Sequence, residues 1–466
     1  MSELIIEQEV LKSVNPATGK EIKSYSLMTN EEASTAVKNC HEAFLKWKMK
    51  TPEERAEIIA AIGEKLSENK DELAKVMTEE MGKLVKHSKQ EVDLCASICQ
   101  WTAENGPNEL KDEERELASG TRGIITYSPI GVIYGIQPWN FPAYQVIRYA
   151  IANLMAGNGV LLKHAESVTG SALMLEEIFK SAGLPDGLFK VLVIDHDQSD
   201  SIIENELVRG VTLTGSDKAG KVVAKKSAEQ LKKTVLELGS NDAYLVLEDA
   251  DLENAVKMCV RGRIYNNGET CVAAKRFVVV DKLYEDFKKA FVEQMKALKV
   301  GDPTVEETKI GPMARKDLRD KLHEQVQKSV EQGADVLCGG KIPEGEGFYY
   351  PATVLDNVTP GQPAYDDELF GPVASLIKAD NDEDAMRIAN DSRFGLGGGI
   401  FSKDVKKAVE LAKHHFDTGM VFINGFGLAQ PNMPFGGVKD SGYGREHGGF
   451  GMKEFVNAKA INIIQE

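Results

Sequence analysis

The sequence predicts an α/β protein with two doubly wound domains, each built on a parallel sheet. The 466 residues, 42% of them hydrophobic, exceed what one compact core holds. After Gly120, short β-rich runs alternate with helical stretches, and a second region of the same kind follows Cys271. We therefore expect two α/β domains of similar size.

The region from Asn30 to about Gly106 precedes both domains. Its apolar residues recur at helical spacing. Pro52, followed by the acidic Glu53 and Glu54, is typical of a helix start. We expect helices to dominate this opening region.

Strand and helix predictions then follow one another along the chain. Their strand–helix–strand order favours parallel pairing, because a crossover helix returns the chain to the end of the sheet where the previous strand began. The first alternating region contains GIITYSPIGVIYGI, GSALMLEEIFKSAG, VTLTG, SDKAGKVVAKKSAEQLKK and AYLVLED. The second contains AKRFVVVD, YEDFKKAFVEQMKAL, YYPATVL, VASLIKA, DEDAMRIAND, KKAVELAKH and GMVFING.

The composition excludes several partners. With 72 acidic and 56 basic residues the formal net charge is −16, and such a surface repels nucleic acid and anionic membranes. The six cysteines include no C-x-x-C pair, which is typical of a reducing compartment. Glu3 and Glu7 lie where a secretory signal carries basic residues, and no apolar stretch is long enough to span a bilayer. We expect a cytoplasmic metabolic enzyme.

The segment from Gly215 to Lys221 matches G-x-x-x-x-G-K between a predicted strand and a predicted helix. A nucleotide triphosphatase needs Ser or Thr at the next position, and Val222 occupies it instead. Two interpretations stay open at this point. The segment is either an ordinary tight turn or a helix N-terminus that binds a dinucleotide pyrophosphate.

No metal site is expected. His164 and Glu166 form an H-x-E motif without the P-C-x-x-C partner that a zinc deaminase requires. The sequence also contains no HExxH motif. His164 is therefore interpreted as a structural histidine.

Cys271 lies in NNGETC, a polar turn between a helical stretch and the strand AKRFVVV. A lone cysteine is usually a small buried hydrophobe. A nucleophilic cysteine needs a donor for the developing oxyanion and a base for the second half-reaction. Asn140 in PWNFP supplies an amide and Glu237 in LELGSND supplies a carboxylate, so Cys271 is a candidate nucleophile.

Seven segments follow one another in a characteristic order. They are PWNFP, K-x-x-E at Lys163 to Glu166, TGS at Thr214 to Ser216, LELGS, NNGETC, ELFGP at Glu368 to Pro372, and FGGVKDSGYGRE from Phe435 to Glu446. Together they resemble the signature segments of the aldehyde dehydrogenase superfamily. The likeness runs from about Asn15 to the C-terminus, and the chain is most similar to the succinate semialdehyde dehydrogenases.

The resemblance implies a mechanism in two halves. The Cys271 thiolate attacks the aldehyde carbon while the Asn140 amide and the backbone N–H of Cys271 hold the oxyanion, and such a donor contributes about 3 kcal/mol. Hydride transfer to the nicotinamide leaves a thioester, which is hydrolysed by water that Glu237 activates. CoA-acylating members characteristically lack this carboxylate, so the expected product is a free carboxylic acid.

The resemblance also implies NAD or NADP as the cofactor. Glu166 favours NAD, because a carboxylate accepts from the ribose 2′-OH but repels a 2′-phosphate, whereas Lys163 acts in the opposite direction. The chain departs from the common pattern at His164, Ser240 and Glu269. The positions that match cofactor contacts are Trp139, Lys163, Glu166, Gly215, Ser216, Glu368 and Phe370.

Two residues bear on the substrate. Arg148 matches a position where semialdehyde dehydrogenases place an arginine against the substrate's distal carboxylate, and the alternative is a surface or interdomain salt bridge. A second family arginine is replaced by Tyr265, which donates only one neutral hydrogen bond. Succinate semialdehyde is the expected substrate, and a broad-specificity aliphatic or hydroxy aldehyde dehydrogenase is the alternative.

The family fold adds a small β element for oligomerisation, so a homodimer or homotetramer is expected. Two interpretations from other classes stay open: a catalytically silent dehydrogenase-fold binding protein, and a cysteine acyl hydrolase that needs no nicotinamide. The predicted boundaries are 1–107 and 131–237 for a dinucleotide-binding domain, 238–441 for a catalytic domain, and 108–130 with 442–466 for the oligomerisation element.

Overall fold

The computed structural model describes residues 10–118 and 120–465. The extreme start of the chain, where no secretory signal is expected, lies outside these residues. Among the helices of the described ranges, none combines the length and apolar character that a membrane span requires.

A β-hairpin and a helical region come first: β1 (Val10–Asn15), β2 (Lys20–Ser26), α1 (Asn30–Trp47), α2 (Pro52–Glu68), α3 (Lys70–Met81) and α4 (Val85–Glu109). The predicted helical region is confirmed. Thr51 caps α2 by accepting from the Glu54 N–H, with Pro52 in the first turn. The cap satisfies a backbone amide that has no partner inside the helix.

The first large sheet follows an antiparallel ribbon: β3 (Glu113–Glu116), β4 (Arg122–Pro129), β5 (Val132–Gln137), α5 (Tyr144–Ala156), β6 (Gly159–His164), α6 (Thr169–Ser181), β7 (Phe189–Val191), α7 (His196–Glu204), β8 (Val208–Thr214), α8 (Asp217–Glu229) and β9 (Lys233–Glu237). The strand order is β7-β6-β5-β8-β9, and all these neighbours are parallel. Chain order reverses between β5 and β8, which is the point where open α/β sheets bind ligands.

The second large sheet contains β10 (Ala243–Val246), α9 (Leu252–Ile264), β11 (Arg276–Val280), α10 (Asp281–Lys296), α11 (Lys316–Glu331), β12 (Asp335–Cys338), β13 (Thr353–Asp356), α12 (Pro363–Asp366), β14 (Val373–Ala379), α13 (Asp382–Asn390), β15 (Phe394–Gly395), β16 (Gly398–Phe401), α14 (Val405–His414) and β17 (Phe422–Ile423). Its order is β12-β13-β14-β11-β10-β16-β17, with β15 outside it. Only β12 pairs antiparallel among the described strands of this sheet. Helix α11 is not predicted by the sequence pattern, because its buried residues are only Leu322, Val326 and Ser329.

The C-terminal segment returns to the first half of the chain through β18 (Val438–Lys439), β19 (Gly442–Tyr443), α15 (Phe450–Glu454) and β20 (Val456–Asn462). Strand β20 pairs with β4 in a three-stranded antiparallel sheet, while β19 pairs with β9 at the edge of the first large sheet. The predicted element at 108–130 and 442–466 therefore contains a β-sheet. The domain boundaries and the pairing of β20 with a neighbouring subunit stay predictions.

Helix α5 positions the site and is buried along its whole length. It has no side-chain cap of its own. Glu91 of α4 instead accepts from the N–H groups of Ala143 and Tyr144, both at the start of α5. The Glu91 carboxylate forms a fully buried ion pair with Lys83, which offsets part of the desolvation of both charges. This arrangement fixes the segment just before the helix, which contains Asn140.

Candidate active site

Three consecutive residues in the left-handed region shape the segment that carries the nucleophile. Asn266, Asn267 and Gly268 have φ values of 54°, 58° and 78°, and Asn and Gly adopt this region at the lowest energetic cost. A Cβ at Gly268 would lie 2.4 Å from the backbone of Gly371. The turn lies between α9 and β11, as the sequence predicts, and Cys271 follows it.

Asn140 is tied to this segment by hydrogen bonds in both directions. Its Nδ2 donates to the Glu269 carbonyl at 3.2 Å, and its own carbonyl accepts from Asn266 Nδ2 at 2.8 Å. Lys83 Nζ donates to the same Asn140 carbonyl at 3.2 Å. Gln145 Nε2 donates to Asn140 Oδ1 at 3.2 Å. The amide nitrogen therefore faces the nucleophile segment, and its second N–H is left for an oxyanion.

Glu237 ends β9 and is 2% exposed. Neither of its carboxylate oxygens has a hydrogen-bond partner within residues 10–118 and 120–465. Burial raises the pKa of this carboxyl well above its ordinary value, although the nearby Arg148 lowers it. A desolvated carboxyl without a partner is suited to accept a proton from a water molecule.

Cys271 is half-buried among four charged side chains. Burial raises the pKa of its thiol to about 11, whereas Arg148 and Lys275 lower this pKa. Glu368 and Asp242 raise it. The two cations are therefore the groups that stabilise the thiolate, which is the reactive form of a cysteine.

Arg148 lies inside the protein and its guanidinium already has partners. The residue is 1% exposed, forms an ion pair with Glu446, and donates from Nη2 to Thr214 Oγ1 at 2.7 Å. The Phe435 and Tyr144 ring centres lie 4.7 and 5.3 Å from the guanidinium carbon. Nη1 is buried and has no hydrogen-bond partner in the described part of the chain. The salt bridge considered as an alternative is present, so a substrate carboxylate would have to use Nη1.

Tyr265 belongs to an aromatic cluster. Its ring centre lies 4.4 Å from that of His87, 6.5 Å from that of Phe141 and 6.2 Å from that of Phe426. The hydroxyl donates to Gln90 Oε1 at 3.4 Å. Contact between this hydroxyl and a substrate stays a prediction, and the ring itself supplies apolar surface.

Lys163 and Glu166 line one cavity of about 540 Å³, together with Lys12, His196 and Arg315 among others. Burial lowers the pKa of Lys163, and Glu166 raises it. The cavity thus combines a carboxylate that can accept from ribose hydroxyls with cations that can meet a phosphate. This donor set fits the adenosine end of either NAD or NADP.

His164 has a structural environment, as its interpretation from the sequence predicts. Its Nε2 lies 2.8 Å from the Pro142 carbonyl, and its Nδ1 accepts from the Ala165 N–H at 3.0 Å. Burial lowers the pKa of the imidazole to about 4. The neutral ring links the segment after Asn140 to the end of β6.

Gly215 and Ser216 join β8 to α8 at the switch point of the first sheet. Ser216 is the N-cap of α8, and its Oγ accepts from the Ala219 N–H at 3.2 Å. The N-terminus of this helix is a favourable place for a pyrophosphate, because its amide groups and dipole attract negative charge.

The remaining predicted cofactor residues lie in loops of the two large sheets: Trp139 follows β5, and Glu368 and Phe370 precede β14. Trp139 and Phe370 meet edge to face, with ring centres 5.7 Å apart. Glu368 is held by the Ser240 N–H at 3.0 Å and by Lys275 at 3.2 Å. A Cβ at Gly239 would lie 2.7 Å from Glu368 Oε2. The acceptor and the aromatic pair fit a nicotinamide ribose and ring.

Three residues that contact the predicted site were not among the site residues expected from the sequence. Lys83 and Lys275 are fully buried cations, and Glu446 pairs with Arg148. A lysine within the apolar run VAAKRFVVV was a signal for Lys275, because a lysine is rarely buried without a specific partner. Lys83 lies in no recognised motif.

The chain is similar to known proteins over nearly its whole length. The model of the Aldehyde dehydrogenase family matches residues 5–461. Succinate semialdehyde dehydrogenase [NAD(P)+] Sad of Escherichia coli K12 is 43% identical over 96% of this chain and 97% of its own length. Succinate-semialdehyde dehydrogenase [NADP(+)] of Deinococcus radiodurans is 41% identical over 97% of this chain and 94% of its own length.

Solved structures agree as well. The succinic semialdehyde dehydrogenase of Streptococcus pyogenes, solved with NADP+, has a TM-score of 0.95 and 35% identity, covering 97% of this chain and 99% of its own. The predicted α/β fold class is confirmed. The protein belongs to the aldehyde dehydrogenase family.

Proposed function

We propose that this protein oxidises succinate semialdehyde to succinate with a nicotinamide dinucleotide, through a thioester on Cys271. The observation that carries the proposal is the buried Glu237 carboxyl without a hydrogen-bond partner in the described part of the chain, which shares its charged neighbour Arg148 with Cys271. Relatives covering nearly the whole chain bear the same substrate in their names.

Asn140 and Cys271 perform the first half of the reaction. The Cys271 thiolate attacks the aldehyde carbon, and the developing oxyanion accepts from the free N–H of Asn140 Nδ2 and from the backbone N–H of Cys271. Arg148 and Lys275 stabilise the thiolate before the attack. A nicotinamide dinucleotide bound by this chain would supply the hydride acceptor.

Glu237 performs the second half. Its ionised carboxylate takes a proton from water, which attacks the thioester carbonyl and releases the acid with the Cys271 thiolate as leaving group. Lys163, Glu166, Ser216 and Glu368 are the residues that would hold the dinucleotide. Direct hydrolysis by water requires no CoA, so we assign the protein to the non-acylating members.

A panel of aldehydes tests the substrate. With reduced nicotinamide absorbance as the readout, kcat/KM for succinate semialdehyde should exceed that for butanal by at least about tenfold, which is the contribution of one charge-assisted contact. Equal values would favour the broad-specificity alternative. No turnover of any aldehyde would favour a silent binding protein or an acyl hydrolase.

Arg148→Ala is expected to lower kcat/KM for both substrates, because Arg148 also lowers the pKa values of Cys271 and Glu237. The additional loss for succinate semialdehyde should be about tenfold, because its distal carboxylate would lose the Nη1 donor. Glu446→Gln is the matched control, since it breaks the ion pair but keeps the arginine. Identical losses for butanal and succinate semialdehyde in Arg148→Ala would remove this arginine from the substrate site.

We further propose that the enzyme accepts NADP as well as NAD. The relatives do not support the preference for NAD that Glu166 predicts, because several are named for NADP(+). Lys163 and Arg315 line the same cavity as Glu166 and can meet a 2′-phosphate.

Glu166→Gln should raise kcat/KM with NADP by about tenfold relative to NAD, because it removes one negative charge near the 2′-phosphate. Steady-state kinetics with both cofactors measure the ratio. Glu177→Gln, at an exposed position of α6 that does not line this cavity, is the comparison variant and should leave the ratio unchanged. An unchanged ratio in Glu166→Gln would show that this carboxylate does not face the 2′ position.

The assembly and the compartment are also proposals. The three-stranded sheet of β3, β4 and β20 has mostly exposed residues on β20, which supports its use as a contact in a homodimer or homotetramer. All six cysteines are free, which supports a reducing compartment such as the cytoplasm.

A further inference from the structure

Lys275 is a buried cation in contact with the nucleophile segment. The residue is 1% exposed. Its Nζ donates to the Cys271 carbonyl at 2.5 Å, to the Ser240 hydroxyl oxygen at 2.8 Å and to the Thr270 carbonyl at 3.3 Å. Glu368 Oε1 lies 3.2 Å from the same nitrogen. One ammonium group thus joins the nucleophile backbone to the carboxylate expected at the nicotinamide ribose.

Ser240 reinforces the same connection. Its hydroxyl donates to the Cys271 carbonyl, and its backbone N–H donates to Glu368 Oε1 at 3.0 Å. A Cβ at the preceding residue, Gly239, would lie 2.7 Å from Glu368 Oε2, so a side chain there would displace this carboxylate. Ser240 and Lys275 therefore bind the same two partners, Cys271 and Glu368, from two different segments of the chain.

The neighbouring Arg276 shows what a purely structural cation looks like in this region. Its guanidinium donates to the main-chain carbonyls of Asn241, Ile388 and Ala389 at 2.9–3.0 Å. These groups are neutral parts of the fold. Lys275, in contrast, contacts the backbone of Cys271, whose thiol must become an anion, and the Glu368 carboxylate, which opposes this ionisation.

We propose that Lys275 is a positioning residue that holds Cys271 and Glu368 in one unit and screens the nucleophile from the Glu368 charge. Without the lysine, Arg148 would be the remaining cation that opposes the effect of Glu368 and Asp242 on Cys271. This inference depends on the proposed function only for the role given to Glu368, because the effect on the thiolate exists in the enzyme without cofactor.

The sign of the effect follows from the charges around Cys271. Arg148 and Lys275 lower the pKa of the thiol, and Glu368 and Asp242 raise it. Burial raises the pKa of Asp242 itself to about 6, so measurements above pH 7 keep that carboxylate ionised. Removing Lys275 should raise the thiol pKa by about one pH unit. At a fixed pH below that pKa, the thiolate population then falls about tenfold.

Alkylation of the cofactor-free enzyme by iodoacetamide tests the proposal. The rate at Cys271 is followed between pH 7 and pH 9 by mass spectrometry of its peptide. Lys275→Met should slow alkylation about tenfold, and Lys275→Arg should recover most of the rate. Glu368→Gln should accelerate it, and the double variant Lys275→Met/Glu368→Gln should return close to the wild-type rate.

If the substitution of Lys275 only loosened the structure, Cys271 would become more exposed and its alkylation would be faster. An unchanged or faster rate in Lys275→Met would overturn the proposal.

Arg276→Lys is the matched control, expected to lower the melting temperature without changing the alkylation rate. Lys275→Gln keeps a hydrogen-bond donor without the charge and serves if the methionine variant does not fold. If neither variant folds, the lysine belongs to the fold alone and the proposal is wrong. None of these outcomes depends on which aldehyde the enzyme oxidises.

Discussion

Cys271→Ala is expected to abolish aldehyde oxidation, lowering kcat by on the order of 10⁵-fold or more, because the variant cannot form the thioester. The cofactor should still bind with an affinity within a few-fold of wild type. The residues expected to hold it lie on other segments, in the cavity with Lys163 and Glu166 and at the N-terminus of α8. Absorbance of the reduced nicotinamide measures turnover, and calorimetric titration measures binding.

Cys338→Ala is the matched control for this variant. Cys338 is a half-buried thiol at the end of β12, and its Sγ donates to the Ala352 carbonyl at 3.7 Å. Its removal should leave turnover close to wild type. Substantial oxidation by Cys271→Ala would contradict the mechanism.

Glu237→Gln is expected to separate the two halves of the reaction. Gln has the shape of Glu but cannot take a proton from water, so hydride transfer should give a burst of about one equivalent per active site. Steady turnover should then fall by about 10² to 10⁴-fold, the usual contribution of a general base. Stopped-flow absorbance resolves both phases.

The pH dependence gives a second measure of Glu237. Its pKa is raised by burial, and only the ionised form is a base, so wild-type thioester hydrolysis should fall as the pH falls through that raised pKa. Glu237→Gln should lose this dependence. Glu248→Gln, at an exposed position after β10, should keep wild-type kinetics. Absence of a burst in Glu237→Gln would place the slow step at or before hydride transfer.

Much of the site could be predicted because short motifs fix local geometry. Asn-Asn-Gly supplies three consecutive residues that tolerate positive φ, and this turn places Cys271 after α9. PWNFP follows β5 and TGS ends β8, the two strands between which the chain order reverses. Local propensity and sheet topology were sufficient to predict that these segments lie close together.

The partners of buried charges could not be predicted in the same way. Arg148 and its partner Glu446 lie far apart along the chain, and nothing in the local pattern selects this carboxylate over the other acidic residues. Lys83 and Glu91 are only eight residues apart, and Lys275 has both near and distant oxygen neighbours, but no local motif selects these partners either. These pairs form through tertiary packing, which enforces neutralisation because a lone buried charge is strongly unfavourable.

The proposed thioester on Cys271 can be tested by trapping the acyl-enzyme. Glu237→Gln is mixed with succinate semialdehyde and NADP, quenched in acid after the burst, and digested for peptide mass spectrometry. We expect a succinyl group attached to the peptide containing Cys271, in an amount equal to the reduced nicotinamide formed in the burst. Reduced nicotinamide without any adduct on Cys271, or an adduct on a different residue, would contradict it.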